Sequence, residues 1–333
     1  MGLIRKEDIH SSCEEYICKL HSNPNLLING DFQVWQRGTT FNDLGKIDHK
    51  YTADRWRTYA YNANSPTISK HEKGWRVQGA NGFNLMLSQI IEEAQLKSLY
   101  GKALTLSVEY EILKGNITVT SAIRTDSPLY NMGTGVNRIE SPNVNQGTNK
   151  IGVLKTTLNS FKNGYKTLMA VIYIDNTNMG DSDLIIKNVK LEIGSVATPF
   201  ISRSFGEEMA LCQRYYQRLS IPQIPYVTDP NQIEIPIKLH CSMRKSPTLK
   251  WGKPGYLHAV NGSDVKTLCS NVDTPEVDPI DNGGDNLSEY FLALIVSLTV
   301  TVEGGTLWTL NASPDASNRI SHPSFLEADA EIY

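Results

Sequence analysis

The sequence predicts an all-β protein in which an N-terminal helix precedes an antiparallel jelly-roll β-sandwich, a connecting helix and a second β-rich domain. Three observations lead to this prediction. Apolar and polar residues alternate over short runs through most of the chain, as they do in half-buried strands. Loops rich in glycine, asparagine and proline separate these runs. Helical spacing is confined to two short segments, and 333 residues are enough for two domains of about 100–200 residues.

The first helical segment covers residues 5–21. Its apolar residues recur at the 4-3-4 spacing of a coiled-coil seam: Ile9, Cys13, Tyr16 and Leu20. About two heptads are marginal as an isolated helix, so this helix requires partners, and Pro24 ends it. We predict that residues 1–24 form a helical segment for oligomerisation or attachment, in which the helices of several copies pack in parallel.

Residues 25–203 show strand periodicity and are predicted to form the sandwich. The alternating runs are Phe83–Leu87, Leu104–Tyr110, Ile117–Val119, Leu168–Ile174 and Leu184–Ile193. Their short length and polar separators are typical of an antiparallel sandwich or jelly roll. The polar stretch from Asp126 to Lys150 is predicted to be a long loop, and long loops often carry function.

Residues 204–333 are predicted to form a short helix followed by the second β-rich domain. Ser204 and Glu207 have the spacing of a capping box, and the helix is expected to continue to Leu219. One face of this helix carries Met209, Cys212, Tyr216 and Leu219. Further alternating runs follow at Ile233–Leu239 and Leu326–Ile332. The continuous apolar run Tyr290–Val302 is too short to span a bilayer and predicts one or two buried strands.

Charge and cysteine content exclude several classes of partner. The net charge is −3 and no dense run of Lys or Arg occurs, so neither nucleic acid nor an anionic membrane is an expected partner. The N-terminus lacks the apolar core of a signal peptide, and no membrane insertion is expected. Five scattered cysteines are typical of free thiols in a protein made in a reducing cytoplasm.

Three signature segments carry a resemblance to a known family. The first is NLLINGDFQVWQRGT (Asn25–Thr39) with YTADRW (Tyr51–Trp56). The second is PFISRSFGEEMALCQRYY (Pro199–Tyr216), and the third is MRKSPT (Met243–Thr248) with EADAEI (Glu327–Ile332). In this order they resemble the receptor-binding tail fibre and tailspike-tip proteins of tailed bacteriophages and prophages, and the resemblance covers residues 25–333.

This resemblance implies a carbohydrate-binding-module-like jelly roll over 25–203, then a helix and a β-rich tip, assembled as a homotrimer. It implies host adsorption through a bacterial surface polysaccharide, a place in the phage tail of the virion, and attachment to other tail proteins through the N-terminal segment. The sequence lacks the β-helical repeat of long tailspikes, so polysaccharide depolymerisation is not expected.

The candidate carbohydrate-binding residues lie in the predicted strand Arg55–Tyr61. Sugars bind to flat aromatic faces flanked by planar polar groups, and alternate side chains of a strand share one face. One face carries Trp56, Thr58 and Ala60, and the other carries Arg57, Tyr59 and Tyr61. We predict that the second row binds carbohydrate, with Trp35 and Arg37 as further candidates. A solvated or subunit-facing row is the alternative, and both Trp35 and Trp56 are also typical core residues.

No catalytic residue, metal or cofactor is predicted. The zinc-type residues His10, Cys13, Cys18 and His21 are spread too far along one helix to meet a single ion. Asp31 could meet Asn188 or Glu192 at a structural calcium, but turn capping by Asn29 and Asp31 is the alternative.

The GDSDL block at 180–184 resembles the nucleophile block of the GDSL-type esterases, but a predicted strand follows it. A non-catalytic protein is therefore favoured; a glycan depolymerase or deacetylase and a structural tail adaptor are the alternatives.

Overall fold

The computed structural model describes residues 22–42, 50–60, 66–79, 82–125, 137–140, 144–146, 150–176, 180–220, 226–229, 232–245, 247–251, 256–261, 264–269, 276–278, 291–297, 309–313 and 325–331. The predicted N-terminal helix lies outside these residues. The chain divides into two compact units, with the division between Met209 and Ala210. The domain boundaries after residues 24 and 203 stay a prediction.

The strands of the first unit, in chain order, are β1 (Thr40–Phe41), β2 (Lys50–Tyr51), β3 (Arg57–Ala60), β4 (Thr67–His71), β5 (Gly74–Gly79), β6 (Phe83–Ile90), β7 (Leu104–Lys114), β8 (Ile117–Thr125), β9 (Asn137–Glu140), β10 (Val144–Gln146), β11 (Lys150–Leu158), β12 (Leu168–Asn176) and β13 (Ser182–Ile193). Helix α1 (Glu93–Leu96) and a 3₁₀ turn (Lys97–Leu99) connect β6 to β7, and α2 (Phe205–Gln213) follows β13. Within the described part of the chain, no helix combines the length and the hydrophobicity needed to cross a membrane.

These strands form two antiparallel sheets. The first sheet has the order β1-β4-β5-β13-β7-β11, and the second has the order β10-β8-β12-β6-β3-β2 with β9 beside β8. The chain alternates between the sheets from β5 to β8 and again from β10 to β13, so strands that are consecutive in sequence lie in opposite layers. The prediction of an all-β sandwich is confirmed.

The core between the sheets is built from the inward half of each alternating strand. Its largest fully buried side chains include Phe32, Trp56, Trp75, Phe83 and Phe161. Burial of an indole requires a partner for its N–H group. Trp56 Nε1 donates to the Asn29 carbonyl at 2.8 Å, and Trp75 Nε1 donates to Thr52 Oγ1 at 3.1 Å. Both tryptophans are therefore buried without leaving a polar atom unsatisfied.

The first signature segment is held by hydrogen bonds to buried Asn29. This residue has a left-handed φ of 56°, which asparagine tolerates better than most residues. Its amide nitrogen donates to the carbonyls of Val34 and Asp54 at 2.9 Å each, and its Oδ1 accepts from the Val34 N–H at 2.9 Å. The side chain of Asn29 thus closes the turn and ties it to residue 54.

The second signature segment begins with a half-buried ion pair and a capped helix. Arg203 donates to Glu208 Oε1 at 2.8 Å, and Glu208 Oε2 accepts from the Asn29 N–H at 2.7 Å. Ser204 Oγ and Glu207 Oε2 are 2.8 Å apart, and the Glu207 N–H donates to Ser204 Oγ at 3.3 Å. The predicted capping box is confirmed, because both side chains satisfy groups at the start of the helix.

The predicted extension of this helix to Leu219 is wrong. Helix α2 ends at Gln213, and Tyr216 begins strand β14, whose first pair is Tyr216 with Asp329. The apolar spacing of Met209, Cys212, Tyr216 and Leu219 therefore does not describe one helical face. The 3-4-3 spacing does not decide the local structure, because residues 216–220 pair with β23 and their backbone N–H and C=O groups form hydrogen bonds across the sheet.

The second unit contains three small antiparallel sheets. Its strands are β14 (Tyr216–Ser220), β15 (Tyr226–Asp229), β16 (Gln232–Lys238), β17 (Thr248–Trp251), β18 (Tyr256–Asn261), β19 (Asp264–Cys269), β20 (Glu276–Asp278), β21 (Phe291–Ser297), β22 (Thr309–Ser313) and β23 (Phe325–Asp329). The sheet orders are β14-β23-β17, β15-β16-β21-β20 and β19-β18-β22. Arg244 of the third signature segment donates from Nε to the Ala330 carbonyl at 3.1 Å, which holds residue 330 within this unit.

Candidate functional site

The outward side of the second sheet carries two tyrosines over an apolar base. The base consists of the buried residues Met86, Ile90, Ala122, Met169 and Val171, and the side chains of Tyr59 and Tyr173 pack against it. We call this surface the tyrosine face. It is distinct from the sandwich core, to which Trp56 and Ala60 of the same region belong. The predicted division of the Arg55–Tyr61 strand into two faces thus agrees with the positions of Trp56, Tyr59 and Ala60.

Strand register places the two tyrosines in one row across the sheet. Tyr59 pairs with Met86, Met86 pairs with Tyr173, and Tyr173 pairs with Thr120. Tyr59 and Tyr173 are therefore two strand spacings apart, which is about 10 Å. The next row along the strands contains Asn84, Asp175 and Thr118. A polar row therefore runs beside the aromatic row.

Accessibility divides the tyrosine face into two halves. One half is buried and comprises Arg57, Met86, Ser88, Ile90, Thr120, Ala122, Arg124, Met169 and Val171. The other half is partly exposed and comprises Tyr59, Asn84, Thr118, Tyr173 and Asp175. We call these five residues the open strip. It offers two aromatic rings and three hydrogen-bonding side chains on four neighbouring strands.

The ring of Tyr173 is held from the buried half. Arg124 lies on β8, is only 3% exposed, and donates from Nη1 to the Tyr173 hydroxyl at 3.3 Å. Because the contact comes from a buried side chain on a neighbouring strand, the ring has little rotational freedom to lose when it meets a ligand. Such preorganisation reduces the entropic cost of binding.

Asp175 is a half-buried carboxylate beside this ring. When the Asn84 amide is oriented with its nitrogen toward the carboxylate, it donates to Asp175 Oδ1 at 2.7 Å. Burial raises the pKa of Asp175 above the ordinary value for aspartate, because removal from water disfavours the charged form. A carboxylate in this environment is an acceptor for hydrogen bonds from a ligand.

The structure places the five predicted carbohydrate-binding residues in different surroundings. Tyr59 lies on the open strip, Arg57 is buried on the same face, and Tyr61 lies outside the described residues. Trp35 belongs to the sandwich core and donates from Nε1 to the Phe32 carbonyl at 2.7 Å. Arg37 lies over the Tyr51 ring at 5.1 Å and within 4.0 Å of Asp54. The role of these residues in binding stays a prediction.

Sequence reasoning missed Tyr173 and Asp175. Both continue the outward alternation of the predicted strand Leu168–Ile174, in which Ile172 and Ile174 face the core. The alternation could have shown that Tyr173 points outward. It could not show that β12 pairs with β6, because those strands are distant in sequence and their pairing depends on the whole sandwich.

The positions considered for calcium are engaged in other contacts. Asp31 Oδ2 accepts from Gln33 at 2.7 Å, Asn188 donates to Glu109 at 2.7 Å, and Glu192 Oε1 accepts from the Thr198 N–H at 2.8 Å. Among the residues that the structure describes, no group of three or more His, Cys, Asp or Glu side chains could hold a metal ion. The zinc-type residues of the N-terminal segment lie outside that part of the chain.

No protein-family model matches the sequence, and no curated protein matches it either. Its structural neighbours include carbohydrate-binding modules and a phage tailspike domain. The chain is similar to a family 61 carbohydrate-binding module in complex with β-1,4-galactotriose, with 16% identity, 51% of this chain and 99% of that chain covered, and a TM-score of 0.32. The chain is also similar to a family 11 module from Clostridium thermocellum in complex with a β-1,3-1,4-mixed-linked tetrasaccharide. The identity is 10%, the match covers 46% of this chain and 96% of that chain, and the TM-score is 0.30.

The chain is also similar to the enzymatically active domain of tailspike protein 4 from bacteriophage CBA120. The identity is 13%, the TM-score is 0.31, and the match covers 51% of this chain but only 21% of that one. At these identities and TM-scores, none of the similarities carries an argument about this chain. Its fold is defined by its own strand order, and its site by its own side chains.

Proposed function

We propose that this protein binds a bacterial surface polysaccharide at the open strip of the tyrosine face and does not change it chemically. The observation that carries the proposal is the Tyr59–Tyr173 row, with the polar row of Asn84, Asp175 and Thr118 beside it. Pyranose rings have C–H faces that stack on aromatic rings and hydroxyl groups at their edges. The two rows match these two parts of a sugar.

The scaffold supports this role because the open strip lies on rigid elements. Its five residues belong to the central strands β3, β6, β8 and β12. The apolar base beneath the rings is buried, and Arg124 holds the Tyr173 hydroxyl from the side. Sites built on strands of a scaffold keep their geometry better than sites built on loops.

We further propose that the protein acts in the tail of a bacteriophage or prophage, as the receptor-binding protein that adsorbs the virion to its host. The three signature segments, in their order along the chain, support this role. Three copies in a homotrimer would offer three glycan sites, and tethered sites gain effective concentration without any new contact. The N-terminal segment would then connect the trimer to other tail proteins.

Removal of both aromatic rings is expected to abolish glycan binding while the fold is kept. Each ring is partly exposed, so truncation should cost less stability than the loss of a core residue. If the rings are binding hot spots, each worth about 2 kcal/mol, and their contributions add, the Tyr59→Ala/Tyr173→Ala variant should bind about 1,000-fold more weakly. The measurement is a glycan array, followed by calorimetric titration with the strongest ligand.

The matched control is Phe205→Ala, which removes an aromatic ring that is 54% exposed elsewhere in the first unit. We expect this variant to bind like the parent. Equal binding by the parent and the double tyrosine variant would exclude the tyrosine face as the site. Release of reducing ends or acetate from a bound polysaccharide would show that the protein is a glycan-modifying enzyme.

A homotrimer is the expected oligomeric state of the full chain. Light scattering at micromolar concentration should return three times the monomer mass of 37.1 kDa. A variant truncated before Asn23 tests whether the N-terminal segment holds the copies together, since the coiled-coil pattern ends before that residue. A monomer mass for the full chain would contradict the proposed assembly, although it would leave the glycan site intact.

A further inference from the structure

We propose that Asp175 determines specificity at the open strip by accepting hydrogen bonds from a sugar's hydroxyl or ammonium groups, so that the strip binds neutral and amino sugars and rejects acidic ones. This inference rests on the proposed function. It adds the chemical class of the ligand, which neither the fold nor the aromatic row defines.

The position of Asp175 within the open strip is the first support. Asp175 pairs with Asn84 on β6 and with Thr118 on β8, and it is two residues after Tyr173 on its own strand. Side chains two residues apart on a strand share a face about 7 Å from each other. A sugar ring stacked on Tyr173 therefore has its hydroxyl edge within reach of the Asp175 carboxylate.

The charges near Asp175 are the second support. Three other carboxylates of the first unit have cations beside them: Asp183 is bonded to Arg76, Glu208 to Arg203, and Glu192 lies 3.3 Å from Lys190. Within the described residues, no Lys or Arg forms an ion pair with Asp175, which pairs across the sheet with the uncharged Asn84 and Thr118. Arg124, the buried cation on the same face, donates to the Tyr173 hydroxyl instead. A uronic or sialic acid would bring a second negative charge to this half-buried carboxylate, and like charges at short range repel.

The free-energy cost of burying the charged carboxylate of Asp175 is the third support. Burial alone raises the pKa of Asp175, and no cation is among the causes that offset it. The folded state therefore holds a charge at neutral pH whose desolvation is incompletely compensated. Carboxylates whose pKa is perturbed in this way concentrate at functional sites.

The first test is a printed array that carries neutral, amino-sugar, uronic-acid and sialylated oligosaccharides of matched length. We expect binding to be confined to the neutral and amino-sugar groups. If the parent binds acidic oligosaccharides best, and the double tyrosine variant loses that binding, the inference about Asp175 fails and the proposed function stands. If the parent binds no oligosaccharide of any group, both fail together.

The second test uses Asp175→Asn, with Asp181→Asn as the matched control on an exposed aspartate. The loss of a charged acceptor should weaken binding of the best neutral ligand by about tenfold, while the control binds like the parent. Binding that is unchanged in Asp175→Asn would overturn the proposal.

Thermal stability gives a readout that a purely structural role would not produce. Because the pKa of Asp175 is raised in the folded state, the stability gained from its protonation is present at low pH and is lost as pH rises through the folded pKa. Asparagine cannot ionise, so the Asp175→Asn variant should melt above the parent at pH 7 and level with it at about pH 3. A structural Asp175 would instead make the variant melt below the parent at pH 7.

Discussion

Replacement of Trp56 by alanine is expected to lower the free energy of unfolding of the first unit by about 3–5 kcal/mol. The indole is fully buried in the sandwich core and lies 5.1 Å from the Phe32 ring, centroid to centroid. Truncation leaves a cavity, and the structure around it relaxes only in part. It also removes the donor to the Asn29 carbonyl. The measurement is urea denaturation at constant temperature, with the m-value checked for two-state behaviour.

Trp56→Phe is the matched control, because it keeps an aromatic ring in the core and removes only the N–H donor and part of the volume. Its loss should be smaller than that of the alanine variant. Glycan binding by the alanine variant, measured well below its unfolding midpoint, should be retained. A loss of stability under about 1 kcal/mol together with loss of binding would move Trp56 from the core to the ligand site.

The sandwich could be predicted because its determinants are local. In β7 the buried residues Leu104, Leu106, Val108 and Tyr110 all fall on one side of a strict alternation, and the same holds for the predicted runs in β8 and β12. Helix α2 has one feature that depends on neighbouring residues and one that depends on distant residues. Its capping box is a local signal and was predicted correctly, whereas its end at Gln213 depends on pairing between Tyr216 and Asp329, which are far apart in sequence.

The site was predictable only in part for the same reason. Alternation alone gave the outward direction of Tyr59 and the inward direction of Trp56. The second ring of the open strip depends on strand register. Met86 pairs with Tyr59 on one side and with Tyr173 on the other, and Met86 and Tyr173 are more than 80 residues apart in the sequence. Accessibility was beyond sequence reasoning as well. Arg57 follows the same alternation as Tyr59, yet it is 3% exposed.

The signature segments carry the family resemblance, and their hydrogen bonds are mostly architectural. Asn29 closes a turn, the Arg203–Glu208 pair joins the start of α2 to that turn, and Arg244 holds residue 330. None of these four residues belongs to the open strip. These motifs identify proteins that share the same scaffold. Residues outside the motifs then determine which ligand each protein binds.

Asn29 is the polar residue of these segments whose replacement is expected to cost most. Asn29→Ala removes two donors and one acceptor that serve buried backbone groups at Val34 and Asp54. Buried groups left without a partner cost about 1–3 kcal/mol each, although such terms are not additive. Alanine also tolerates the φ of 56° poorly. We expect the free energy of unfolding to fall by about 3–4 kcal/mol.

Asn29→Gly separates the two causes, because glycine adopts a left-handed φ without strain and still lacks the amide. Both variants should be strongly destabilised in urea, and the glycine variant should be more stable than the alanine variant by about 1 kcal/mol. Equal stability of the two variants would mean that backbone conformation contributes nothing at this turn. If both lie within about 0.5 kcal/mol of the parent, the side-chain bonds of Asn29 do not hold the turn, and the structural explanation of the first signature segment is wrong.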